Sequence, residues 1–358
     1  MVTHRFIRTT HYQVGHPIYF GFLIHFCTSP AESKLEQKVV QDIYKILNEH
    51  GYNCSREAAK FLVRMAKQMG FLQQNNIWTW KGFVINFFEK KNNIAKYHAQ
   101  TQILSLDKKV IYLKYFLESD GAFLIHFARK VLEKEGLSKY ELRYVDGIVE
   151  SIYKDVIAEY LTLETDFKKK IELGNFMKFF EEKGYKSKVR IHKAFPHLDP
   201  LVDLDILRYD PEKRRYLPNI TDGRNITQLF LDNFPSVKTL EEVFSGEKLA
   251  EKSQMEYYER AARIYGINYR KFVSKDENKT IKDILTAYSE VKDPVTGLAS
   301  IRSLKDIVCT IQLVRNGVLY EWPDIDALLI SLKKKMGSNL RFHVDRKGEV
   351  EYVVVSSR

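Results

Sequence analysis

The chain has 358 residues, 44% of them hydrophobic, with 22 Phe and 21 Tyr, so it can bury large cores and is not a disordered protein. Its length favours two or three domains over one. The formal charge of +11 draws it towards phosphate, nucleic acid or anionic lipid, and no run of five like charges confines that excess to a tail.

Residues 1–30 read as a strand-like lead-in, because Tyr19, Phe20, Phe22, Leu23, Ile24 and Phe26 crowd together before Pro30. The apolar run from Ile18 to Cys27 is about ten residues, too short to span a bilayer. His4, Arg5 and Arg8 before it imitate a signal peptide, but His25 interrupts the run and argues against secretion. Cys27, Cys54 and Cys309 are far apart and form no C-x-x-C pair. That spacing disfavours a disulfide framework or zinc ribbon and favours a reducing cytoplasm without a membrane partner.

Ala31 to His50 predicts a helix, with Leu35, Val39, Ile43, Ile46 and Leu47 on one side and Gly51 at its end. Ser55 then caps a second helix whose apolar face is Ala58, Phe61, Leu62, Met65 and Met69. Arg56, Lys60, Arg64 and Lys67 step by four, four and three, which places them together on the opposite face. A purely solvating face carries mixed charges, whereas these four share one sign. Gly70 ends the helix, and Phe71-Leu72-Gln73 and Ile77-Trp78-Thr79-Trp80 make two short strand pieces around Asn75-Asn76. Alternation along the second piece leaves one of its faces open. Gly82 to Lys91 closes the unit as a helix. Helix, basic helix, hairpin and helix follow one another in the order of a winged helix, and the stretch from Asn53 to Phe88 resembles winged-helix DNA-binding domains. The resemblance implies a second helix in the major groove, with Arg56 and Lys60 nearest base edges, and a hairpin acting as a wing.

A helical connector follows, with Leu106–Glu118, Ala122–Glu135 and Lys139–Leu163 separated by Ser119-Asp120-Gly121 and Gly136. Tyr112, Tyr115 and Phe116 fall at core spacing rather than as a stacking surface for bases. Glu164 to Lys183 is a further helix, ended by Gly184. A second winged unit is then expected. Its basic segment, capped by Ser187, holds Lys186, Lys188, Arg190 and Lys193; Pro196 and Pro200 break it from a short helix ending at Leu204. Ile206–Tyr209 and Arg214–Leu217 read as a hairpin about the turn Asp210-Pro211-Glu212-Lys213, with Lys213, Arg214 and Arg215 at the tip, where a wing meets phosphate. Thr227 to Phe244 is a helix behind it.

More helix lies between Glu247 and Val291, with a linker around Ser274–Lys279. Ser300–Val314 begins a third unit. Pro323 opens its next helix, Ile325, Leu328, Leu329 and Leu332 point inward, and Gly337 ends it. Leu340–Val344 and Val350–Val355 flank the turn Asp345-Arg346-Lys347-Gly348. Glu321, Asp324 and Asp326 at one end of the helix and Lys333, Lys334 and Lys335 at the other simply match its dipole. This unit therefore reads as a packing or protein-contact module, with Arg346 and Lys347 as backbone contacts. The expected divisions are 1–95, 96–164, 165–245, 246–298 and 299–358, within a mainly α fold carrying short β-hairpins.

Catalytic signals are weak. There is no G-x-x-x-x-G-K-[ST], H-E-x-x-H or G-x-S-x-G. His192, His197, Asp199 and Asp203 match no ligand spacing, and two prolines intervene. Asp203, Asp205 and Glu212 come closest to a nuclease site, but Glu212 and Lys213 are adjacent rather than spaced as E-x-K. No catalytic residue, cofactor or metal is assigned. The expectation is non-catalytic binding of duplex DNA by tandem winged-helix units, as a regulator or as the DNA-reading subunit of a prokaryotic defence or mobile-element assembly, with protein partners or a second copy also in play. The alternatives are an interaction scaffold, which requires an exposed apolar patch, and a metal-dependent nuclease, which requires converging carboxylates.

Overall fold

The computed structural model describes residues 5–6, 10–11, 13–91, 104–182, 184–244, 250–273, 276–344, 346 and 350–356. Helix makes up 66% of it and strand 11%, so its sheets are small additions to a helical body.

The N-terminal apolar run is helix, which corrects the strand expected there. Pro17–Phe22 forms α1, and Leu23–Cys27 continues it as a π-helical turn. Ile18, Phe20, Phe22, Leu23 and Ile24 are all buried. A segment that is apolar on every side carries no period to separate helix from strand. Glu36–Glu49 is α2 and Arg56–Gln68 is α3. Ser55 caps α3 as expected, its Oγ accepting the Ala58 N–H at 3.1 Å. The hairpin beyond Gly70 is reduced to single bridges, Leu72 with Trp78 antiparallel and Ser29 with Ile77 parallel. Trp78 is buried, its Nε1–H donating to Thr28 Oγ1 at 2.8 Å. Trp80–Lys91 is α4.

Leu106–Glu133 (α5) runs unbroken through Ser119-Asp120-Gly121, where a break is predicted. Tertiary packing decides this. Asp120 is buried in an ion pair with His197, and a Cβ on Gly121 would lie 2.6 Å from Leu240 Cδ1. The glycine is there for close packing, not for a turn. Two buried lysines fix α5 to its neighbours. Lys108 pairs with Glu89 of α4, which also accepts the Tyr112 hydroxyl at 2.9 Å. Lys114 pairs with Asp306, which accepts the Tyr115 hydroxyl at 2.9 Å. Buried charges of this kind persist only when paired and hydrogen-bonded.

The helix expected over Lys139–Leu163 is two. Leu137–Ser138 (β1) leads into Lys139–Tyr144 (α6), and Gly147, at φ +85°, turns the chain before Ile148–Leu163 (α7). Phe167–Glu182 is α8. Ser187–Asp203 (α9) is one helix with Pro196 and Pro200 inside it, against the predicted break. Each internal proline costs about 3 kcal/mol of helix propensity. Burial of Ala194, Phe195, Leu198 and Leu201 against neighbours that include α5 offsets that cost. Lys186 rather than Ser187 occupies the N-cap position, and no side-chain cap bond forms there.

The hairpin after α9 is as predicted, Leu207–Asp210 (β2) pairing with Arg215–Pro218 (β3), and β1 adds a third strand in the order β1-β3-β2. Ile220–Thr221 (β4) and Arg224–Asn225 (β5) form a second small ribbon. Ile226–Asn233 (α10) and Val237–Phe244 (α11) replace the single helix expected over Thr227–Phe244, the chain turning at Pro235. Then come Ala250–Tyr265 (α12), Arg270–Lys271 (β6), Glu277–Val291 (α13), Ala299–Ser300 (β7) and Ile301–Asn316 (α14). Val318–Leu319 (β8) lies parallel to β6. Trp322–Met336 (α15) has its proline in the first turn and buries Ile325, Leu328, Leu329 and Leu332, as the sequence predicts. Leu340–Val344 (β9) and Val350–Val355 (β10) form the expected hairpin, joined by β7 in the order β7-β10-β9. All three cysteines are free and buried, and burial pushes the Cys27 thiol up to about 12. Among the described residues no helix is long and apolar enough to cross a membrane.

Candidate nucleic-acid interface

The basic face of α3 is divided by a carboxylate from α2. Lys67 Nζ lies 2.7 Å from Glu36 Oε2, and Arg64 Nε lies 4.0 Å from Glu36 Oε1. The hydrogen bond from Lys67 holds the Glu36 carboxyl below its ordinary range despite some burial. Arg56 and Lys60, nearer the N-terminal end, are exposed and make no ion pair with a described residue. The Arg56 guanidinium stands 5.6 Å from the centroid of the Tyr44 ring, which orients it without neutralising it. Glu57 is also exposed in this first turn.

The basic segment of α9 divides likewise. Lys186 and Lys188 are exposed at the helix start. Arg190 is buried, its Nε donating to Glu150 Oε1 at 2.8 Å and its Nη2 lying 2.7 Å from Asp146 Oδ1. It ties α9 to the start of α7. Lys193 is half-buried, and burial pushes its ammonium pKa down.

At the β2–β3 turn Lys213 and Arg214 are exposed, Arg214 with φ +48°. Arg215 turns back instead, its Nη2 donating to the Gly136 carbonyl at 3.0 Å. Arg346 is exposed, and Lys347 lies outside the described residues.

One residue joins the two basic helices. The His11 ring lies 5.2 Å from that of Phe61 on α3 and 4.8 Å from that of His192 on α9. Lys60 adjoins Phe61, and Lys188 lies one helical turn before His192. Burial, then the neighbouring His192, push His11 down to about 4, and burial lowers His192 as well. The junction is thus neutral near pH 7, and the positive charge around it comes from Lys and Arg.

Sequence reasoning places α6 in a helix but passes over its exposed aromatic residues. Tyr140 and Tyr144 are exposed with ring centroids 5.0 Å apart, and the Arg143 guanidinium stands 5.0 Å from the Tyr144 centroid. The Lys139 N–H donates to the Arg214 carbonyl at 2.9 Å, so α6 adjoins the basic hairpin turn. A signal was present: Ser138 and Glu141 form a capping box, and the two tyrosines are four residues apart.

Of the acids and histidines considered for catalysis, Asp199 and Asp203 both approach His16, Asp199 at 3.8 Å, and the others go to separate partners. Asp203 Oδ2 lies 2.8 Å from His16 Nδ1, Asp205 pairs with Lys109, and Glu212 is exposed in the hairpin turn. Asp199 accepts the Tyr216 hydroxyl at 2.7 Å, His197 pairs with Asp120, and His192 meets His11. Among the described residues no group of three His, Cys, Asp or Glu side chains is arranged to hold a metal ion. In the C-terminal unit, Glu321 and Asp324 form a capping box and Asp326 pairs with Lys305 at 2.6 Å.

Compared with protein-family models, with curated proteins and with solved structures, the chain matches none.

Proposed function

We propose that this chain binds duplex DNA without catalysing a reaction on it, through the exposed cations at the N-terminal ends of α3 and α9. The observation that carries the reading is that His11 touches both Phe61 of α3 and His192 of α9, two helices that each expose cations towards their N-terminal ends, Arg56 and Lys60 on one and Lys186 and Lys188 on the other. Four exposed cations near two helix N-termini suit phosphate, since the backbone amides there also favour anions. In this reading residues 29–91 are a reduced winged helix: the Ser29 and Leu72–Trp78 bridges stand for its sheet, α3 for its recognition helix and α4 for the closing helix. Lys213 and Arg214 supply a second, wing-like contact. The protein acts in the cytoplasm, as a regulator or as the DNA-reading subunit of a larger prokaryotic assembly.

A duplex titration at several salt concentrations tests this, comparing the native chain with the variant carrying Arg56→Ala, Lys60→Ala, Lys186→Ala and Lys188→Ala. Affinity should fall steeply with salt, and the variant should lose about three to four units of the log–log salt slope. No binding at low salt, or an unchanged slope in the variant, rejects the surface. One observation favours a protein partner instead: Phe167, 75% exposed, and Ile171 share a face of α8 that nothing covers among the described residues.

A further inference from the structure

Between α8 and the body of the protein lies a cavity of about 700 Å³, within the range of small-ligand sites. Phe123 of α5, Tyr153 of α7, Phe176 and Phe179 of α8, Tyr185 before α9 and the N-terminal Phe6 line it. Their rings already pack against one another, tilted or edge-on: Phe123 and Tyr153 have centroids 4.3 Å apart at 44°, and Tyr153 and Tyr185 meet edge-on at 5.5 Å. Aromatic walls of this kind can meet a further flat ring by edge or by offset face.

The cation on the wall is Lys193, with Asn175, exposed on α8, as a neutral polar neighbour. Its Nζ stands 6.0 Å from the centroid of the Tyr185 ring and makes no hydrogen bond or ion pair with any described side chain. Asp120, the acid whose charge it feels, is committed to His197. Glu172 also lines the cavity, but it is exposed, so water screens it. A half-buried ammonium among aromatic rings gains most from an anion that brings its own apolar body.

We propose that this cavity binds a small aromatic monocarboxylate, its ring between Phe123, Tyr153, Phe176 and Phe179 and its carboxylate on the Lys193 ammonium. One negative charge suits the single lysine, and a second would face Glu172. The inference stands on the cavity alone and does not depend on DNA binding.

The test is calorimetric titration of the full chain with 1-naphthylacetate and, separately, with its uncharged primary amide. The acid should bind about tenfold tighter than the amide or better, because only the acid forms the charge-assisted pair. Lys193→Met should remove that preference and leave amide binding unchanged, while Lys193→Arg should keep most of it. The proposal is overturned if neither compound binds the native chain, if acid and amide bind it equally, or if Lys193→Met retains the preference. The acid–amide comparison on the native chain decides the matter even if the methionine variant fails to fold.

Discussion

Lys67 Nζ donates to Glu36 Oε2 across 2.7 Å, and that bond takes out of play one of the four cations that make α3 read as a groove-binding helix. Arg64 leans on the same carboxylate from 4.0 Å. Glu36 thus screens the C-terminal half of the face, and Arg56 and Lys60 are left to meet phosphate. Glu36→Gln should free both neighbours, tightening duplex binding severalfold and steepening the log–log salt slope by about one to two. Unchanged affinity in a salt series would place this half of α3 away from the nucleic acid.

The pair between Lys114 and Asp306 predicts a stability effect that cannot be confused with binding. Both side chains are buried, and Asp306 also accepts from Tyr115 and Tyr258. Asp306→Ala would leave the buried Lys114 ammonium only the more distant Glu118 carboxylate at 3.9 Å among the described residues, at a cost of about 3 kcal/mol. Replacing both partners, Lys114→Met with Asp306→Leu, should recover most of that loss, since no charge then remains to be solvated. Urea midpoints of the single and double variants measure the difference. If the double variant is as unstable as Asp306→Ala, the hydrogen bonds of the two tyrosines, rather than the charge, hold α14 to α5 and α12.

Two histidines bound the pH range of greatest stability from opposite sides. Burial opposes charge on His16, but Asp203 at 2.8 Å and then Asp199 outweigh it and raise His16 to about 9. Its contribution is full below the unfolded value of 6.5 and is lost as pH rises through 9. His11, pushed down to about 4, works the other way: below 6.5 the unfolded chain takes up a proton that the folded one refuses. Stability from these two groups therefore falls on both sides of about pH 6.5. Asp203→Asn should flatten the alkaline decline and His11→Gln the acid one, as read from urea midpoints between pH 4 and pH 10. A native-like alkaline decline in Asp203→Asn would assign that slope to another group.

Local chemistry was legible wherever neighbours in sequence decide the outcome. The Ser55 cap, the Pro323 start of α15 and the two long hairpins all depend on residues within a few positions of each other. Misreadings arose where distant contacts override local preference. Gly121 reads as a helix break, yet it is an opening for Leu240. Pro196 and Pro200 read as breakers, yet packing keeps α9 continuous through both. The run Ile18–Cys27 is apolar on every side, so its period says nothing about its conformation. Of the candidate contact residues, the sequence identified the charge but not its pairing, because Glu36, Glu150 and Asp146 come from other helices or loops. The aromatic cavity was invisible for the same reason: its walls come from five separate parts of the chain.

Arg190 and Lys188 stand two residues apart on α9 and should respond in opposite ways. Lys188 is exposed, so Lys188→Ala should weaken duplex binding and change the unfolding free energy by no more than about 0.5 kcal/mol. Arg190 is buried between Glu150 and Asp146, and Glu150 Oε2 has no hydrogen-bond partner among the described residues. Arg190→Met would strand that carboxylate, leaving its Oε1 only the Tyr185 N–H at 3.0 Å. The cost should be about 3 kcal/mol, because removing one partner of a buried pair exposes the desolvation of the other. Adding Glu150→Gln to Arg190→Met should then restore stability in part, since a neutral amide is cheaper to bury than a charge. Paired urea denaturation and salt-dependent duplex titration on the variants separate the roles. A binding defect in Arg190→Met at a temperature where it remains folded would show that this arginine, too, serves the contact surface.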